Sequence, residues 1–238
     1  MNGDPLPRLA RLIEELHRHP DIEVVKEWGR FVPSHGDPSA GYDFLWEMNQ
    51  GVAERAVPGC LLDPALRPLV ERLASTADVK AGLAWRYRRD GNEHNGGEFC
   101  WENPAPPGSA PAWWDDLPTE VRELHARLCV LEWHPWTGDG ASVMLELRAG
   151  ASPAQLWLER RGELHPMTIG ITEYLERTIE TRGLFGWQVL FCDWQGPPDR
   201  AFLELAVDRR RFEHLQRLCF PTSITIRTCD GTTRCGNR

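Results

Sequence analysis

The spacing of apolar and polar residues points to one dominant stretch, Leu164 to Trp194 (LHPMTIGITEYLERTIETRGLFGWQVLFCDW). Ile171, Tyr174, Leu175 and Ile179 recur at three- and four-residue steps and so share one face of a helix. Glu173, Glu176, Arg177 and Glu180 take the other, solvated face. Thr168 or Thr172 offers an N-cap oxygen, and Gly183 stands where a left-handed C-cap residue is wanted. Beyond it, Leu184, Phe185, Trp187, Val189, Leu190 and Phe191 form a dense aromatic and aliphatic run. Gly186 interrupts that run just before Trp187, where a Cβ would obstruct a close approach of backbone to the ring. A block this apolar is core or interface. A helix followed by aromatic residues is the usual mark of a central packing unit, so core is the expectation. Tyr174, Gly183, Gly186 and Trp187 are its structural signature.

The same pattern divides the rest of the chain. Pro5 to His19 carries a helical stripe of Leu6, Leu9, Leu12, Ile13 and Leu16, stopped by Pro20 and Asp21. Tyr42 to Asn49 reads as a short amphipathic helix ended by Gly51. Asp63 to Leu73 reads as another, with Asp63 as N-cap and Pro64 at the first helical position. Ala81 to Arg89 alternates Leu83, Trp85 and Tyr87 with arginines, which is strand periodicity. Asp90 to Gly97 reads as a polar loop, and Phe99 to Trp101 as the start of a further short strand.

Four prolines between Asn103 and Pro111 predict an extended, exposed segment, read as a surface loop within one domain. A helix is expected from Leu117 through Leu128. Val130–Trp133, Ala141–Leu147 and Ala154–Glu159 are strand candidates, and Arg161–Glu163 is a turn leading to the central helix. Short strands running into a helix predict an α+β single domain over residues 1–238, a mostly antiparallel sheet backed by helices. Arg200 to Leu218 reads as a helix, Ile224 and Ile226 hint at a strand, and residues 228–238 form a polar, flexible tail.

Composition changes this picture in three ways. Eleven Trp against three Tyr supply large apolar payloads that suit both cores and binding anchors. A formal charge of −8 argues against non-specific nucleic-acid binding, which needs a positive surface, and is compatible with a basic protein partner. Seven scattered Cys, no signal-peptide pattern at Met1–Asp4 and no membrane-length apolar run lead to the expectation of a cytoplasmic protein.

Candidate chemistry is sparse. No dinucleotide or phosphate-binding glycine loop, no zinc-protease motif and no nucleophile elbow is present, and C-x-x-C is absent. Cys219, Cys229, Cys235 and His214 are the nearest thing to a ligand set, and no cofactor or metal is expected. His134 and His165 flank turns and read as surface or capping residues. Trp113 and Trp114 precede Asp115, Asp116 and Glu120 at the start of a helix. Either these carboxylates complement the helix dipole, or the paired Trp and acids form a partner-binding anchor.

The order of certain blocks resembles the SUKH superfamily, which contains a fungal cell-wall-synthesis regulator and many bacterial relatives. The blocks are Tyr42 to Asn49, Trp113-Trp114, Val130 to Pro135, Leu156-Trp157-Leu158, His165-Pro166, Ile171 to Leu175 and Thr181 to Gln188. They fall between residues 42 and 194, and the last, Thr-Arg-Gly-Leu-Phe-Gly-Trp-Gln, is the most specific. The pattern departs at Gln50, which separates Asn49 from Gly51, and at Val52–Val57, which lacks an expected Trp. The resemblance implies one α+β domain without enzymatic activity, like immunity proteins that bind and neutralise a toxin, often a nuclease. A regulatory or scaffold protein with a non-toxin partner is the alternative it implies. Under the immunity reading, Trp113, Trp114, Asp115, Asp116 and Glu120 are the expected partner-binding residues.

Overall fold

Alternating apolar positions give the chain its strands, and in the computed structural model these pair in strict sequence order. The structure describes residues 6–29, 39–74, 80–89, 91–102, 118–134, 141–150, 153–160 and 163–193. One antiparallel sheet runs β1 (Ile22–Trp28), β2 (Lys80–Arg89), β3 (Asn92–Glu102), β4 (Leu128–Trp133), β5 (Ser142–Glu146), β6 (Gln155–Arg160) and β7 (Glu163–Pro166). The helices are α1 (Leu6–Arg18), α2 (Ser39–Ala56), α3 (Arg67–Ala74), α4 (Thr119–His125) and α5 (Ile171–Thr181). The α+β class is therefore as expected.

One apolar face of the sheet carries Leu83, Trp85, Phe99, Trp101, Leu131, Val143, Leu145, Leu156 and Leu158. These join Leu9, Leu12 and Leu16 of α1, Leu69, Val70 and Leu73 of α3, and Tyr174 and Leu175 of α5 in a continuous core. No helix among the described residues is long and apolar enough to cross a membrane.

Several expectations shift by a strand or a turn. Asn92–Gly97 is no loop: it belongs to β3, which forms a long hairpin with β2 and pairs Asn92 with Arg89. Gly96 and Gly97 lower strand propensity, yet they sit in β3 because side chains there do not fit. A Cβ on Gly96 would lie 2.1 Å from the Trp85 ring, and one on Gly97 would lie 2.4 Å from the Gly183 carbonyl oxygen. β1 and β7 were not foreseen, and α4 stops at His125 so that Leu128 opens β4.

Helix α2 continues through Gly51 to Ala56, since Ala53 beyond it is buried in the core. Gln50 side-chain atoms also tie α2 to the next segment, donating to the Cys60 carbonyl at 2.6 Å and accepting from Leu62 N–H at 2.9 Å. Asp63 caps as expected, its Oδ1 accepting from Ala65 N–H at 2.9 Å at the head of the 3-10 turn Pro64–Leu66. The Pro-rich stretch, Arg200–Leu218, Ile224 and Ile226, and the 228–238 tail lie outside the described residues.

Candidate functional site

The central block does pack as core. Tyr174 and Trp187 are fully buried, with ring centroids 4.9 Å apart. Neither threonine caps α5: the N-cap is Gly170, and the Thr168 hydroxyl instead donates to the Phe191 carbonyl at 3.0 Å. At the other end both Arg182 and Gly183 are left-handed, with φ of 56° and 62°. That double turn swings the chain back onto the edge of β3 not used by β2. Glu98 N–H donates to Gly183 O at 2.9 Å, and Phe185 N–H donates to Gly96 O at 3.1 Å. Trp85 Nε1 adds a bond to the Arg182 carbonyl at 3.0 Å. Gly186 has a left-handed φ of 78°, which starts the 3-10 turn Trp187–Phe191.

Here β3 and β4 meet at one register pair, Trp101 opposite Glu132. A β-bulge at Leu131 leaves both Leu131 and Glu132 opposite Val143, which turns the Glu132 carboxylate into the core. It is wholly buried. Trp101 Nε1 donates to Oε2, Gln188 Nε2 donates to Oε1 at 3.2 Å, and His134 Nε2 lies 2.9 Å from Oε1. The same His134 Nε2 also lies 3.2 Å from Gln188 Nε2, so this ring nitrogen stands between an acceptor and a donor. The Tyr174 hydroxyl belongs to the same buried neighbourhood, where burial first and the Glu132 charge second hold its pKa well above the usual phenol value. His134 is therefore a buried partner of Glu132, not a surface residue, and His165 is buried as well.

This carboxylate–imidazole pair has the composition of an acid/base couple, but Glu132 is 0% and His134 5% exposed. A substrate cannot reach it in this conformation. The cluster instead joins β3, β4 and the 3-10 turn through the contacts of Trp101, His134 and Gln188 with one buried carboxyl group. Glu132 and His134 stand two apart in sequence, so they share one side of the strand end. That spacing was visible in the sequence; the bulge that turns it inward was not.

The bulge has an outward consequence too. Trp133, next in the chain, faces the opposite side of the sheet and remains 40% exposed. The Lys80 ammonium sits 4.9 Å from its ring centroid. Lys80 in turn pairs with Glu102, its register partner on β3. Burial pushes the Cys100 thiol up to about 12, helped by Glu102 and Glu132 and opposed by Lys80 and Trp133.

Across the outer face, Trp133 is opposite Ser142, and Ser142 is opposite Glu159 and bonded to it at 2.8 Å. His125, at the end of α4, is buried, and burial lowers its pKa, opposed by the Glu159 charge. Glu120 and Glu123 of α4 are exposed. Of the expected partner-binding residues, Glu120 is thus at the surface, while Trp113, Trp114, Asp115 and Asp116 lie outside the described residues.

Comparison with protein-family models, with curated proteins and with solved structures finds no match.

Proposed function

We propose that this chain is a non-enzymatic binding protein that acts in the cytoplasm as an immunity protein, neutralising a toxin of a contact-dependent or polymorphic system. One observation carries the reading. The blocks that resemble the SUKH superfamily converge on a single packed unit: Glu132 and His134 from one block meet Gln188 from another, with Tyr174 beside them. Residues far apart in the chain are thus used together, as the parts of a shared fold would be.

Two features support binding over catalysis. The most enzyme-like pair among the described residues is sealed inside the core, and the net charge of −8 suits a basic protein partner such as a nuclease. The test is co-expression with the toxic protein encoded beside this gene. Rescue of growth, with a complex that survives purification, is the expected result. Absence of rescue overturns the reading, and recovery of a stable complex with a non-toxin cellular protein instead favours the regulatory or scaffold alternative.

A further inference from the structure

We propose that the outer face of β4–β7 is the interface of a two-fold homodimer, in which the chain packs against a second copy of itself. The inference concerns self-association and does not rest on the toxin reading.

Strand register builds the face. Val130 is opposite Met144, Met144 opposite Trp157, and Trp157 opposite Pro166, so four apolar side chains form one row across four strands. Cys129, Leu131, Val143, Leu145, Leu156 and Leu158, their neighbours along β4, β5 and β6, belong to the core, which puts the row on the other side of the sheet. None of the four joins that core, and each stays half-buried. Tryptophan and methionine are residues that interfaces concentrate, and methionine also adapts its shape to a facing surface.

The two margins of the row carry opposite charge. On one side Glu146 is held between Arg127 and Arg148, at 3.4 and 2.7 Å, and its Oε2 also accepts from Trp157 Nε1 at 2.9 Å. Two guanidiniums to one carboxylate leave this margin positive, and Arg148 is exposed. On the other side Ser142 is opposite Glu159, whose carboxylate accepts from the serine hydroxyl at 2.8 Å. That margin is negative. Glu146 and Ser142 each stand two residues from Met144, so both margins lie roughly 7 Å from the row.

This order of positive, apolar and negative is self-complementary. A two-fold axis lying along the row turns one face over onto another. Each apolar residue then meets its own copy, and each positive margin lies over the other copy's negative one. A foreign partner would need the same pattern reversed, whereas a second copy supplies it by symmetry. Sheets packed in this way lie about 10 Å apart, a gap that Met144 and Trp157 from both copies fill.

Sedimentation equilibrium on the intact protein, over a concentration series, tests the proposal. A reversible monomer–dimer equilibrium is expected, weakened at least about ten-fold by Met144→Lys, which sets two ammonium groups face to face at the axis. A monomer at every concentration overturns the proposal. So does a dimer that Met144→Lys leaves unchanged, since its contact is then elsewhere.

The charge pattern is tested with Arg148→Glu and Glu159→Arg. Each variant alone sets like charges against each other and is expected to be monomeric. Mixed, the two place opposite charges together at both margins and are expected to form a heterodimer, a result that an unfolded variant cannot give. Failure of the mixture to dimerise overturns the two-fold arrangement.

Discussion

The indole N–H of Trp101 donates to the Glu132 carboxylate at the one register position where β3 meets β4. The two ladders of the sheet, β1–β3 and β4–β7, are joined there by side chains more than by backbone. Glu132→Ala would leave Trp101 Nε1 and Gln188 Nε2 without their acceptor and His134 without its partner, at an expected loss of at least about 3 kcal/mol. Glu132→Gln keeps the volume but turns an amide NH₂ toward two donors, for a smaller loss of about 1–2 kcal/mol. Urea denaturation reads both. A wild-type midpoint for Glu132→Ala would mean that the cluster does not hold the sheet together.

The return of the chain after α5 depends on two backbones passing close to each other. A Cβ on Gly97 would strike the Gly183 carbonyl, and one on Gly183 would come within 2.6 Å of Phe99 Cδ1 in a left-handed conformation. Gly97→Ala and Gly183→Val should each destabilise by at least about 2 kcal/mol, and Trp187→Ala, which empties a fully buried site, by about 3–5 kcal/mol. Thermal melting is sufficient to rank them. A Gly97→Ala protein that melts with wild type would show that the β3 edge and the 183–185 segment separate without penalty.

Local periodicity made the helices legible: α1 and the core face of α5 follow from their leucine, isoleucine and tyrosine spacing. Asp63 was legible as a cap because its reach to Ala65, two residues on, is a local matter. β3 was hidden because Gly96 and Gly97 answer to Trp85 and Gly183, partners distant in sequence. The same is true of Glu132. Its inward turn comes from one extra residue in β4, and no pattern within Val130–His134 reveals which residue bulges. Trp133 was hidden for the same reason, since the bulge decides which of its neighbours face out.

Gly51 offers a change in the stabilising direction. It sits inside α2, and a Cβ there would meet nothing nearer than Arg55 Nη1 at 3.7 Å, an ordinary contact. Gly51→Ala should therefore raise stability by about 0.5–1 kcal/mol, through helix propensity and a less flexible unfolded chain. An unchanged or lower denaturation midpoint would indicate that helix α2 is interrupted at this position in solution.

His125 gives the fold a pH dependence of known sign. Burial lowers its pKa below the usual imidazole value, and the nearby Glu159 only partly opposes this. The unfolded chain then binds the proton first, so in the window below the unfolded value of about 6.5 the unfolded state holds more protons. Stability is complete above that value and falls as the pH drops toward the folded pKa. His125→Gln should flatten the slope of denaturation midpoint against pH between about 7.5 and 5.5. Equal slopes in the variant and the wild type would place the titrating group elsewhere.

Under the proposed binding role, the acidic tryptophan segment before α4 makes two separable contributions. Asp115 and Asp116 immediately follow Trp113 and Trp114, and Glu120 begins the exposed side of α4 a few residues on. Carboxylates attract a basic partner over a distance set by the Debye length, so they act on association. Replacing Asp115 and Asp116 by Lys should slow association and reduce its dependence on salt, with the melting temperature nearly unchanged. A tryptophan acts after contact, by the area it covers, so Trp114→Ala should speed dissociation instead. If these carboxylates served only to complement the α4 dipole, the Lys variants would lose stability and bind as before. Melting curves and binding kinetics on the same purified variants distinguish the two, because a dipole partner and an encounter charge cannot both be silent in folding and active in association.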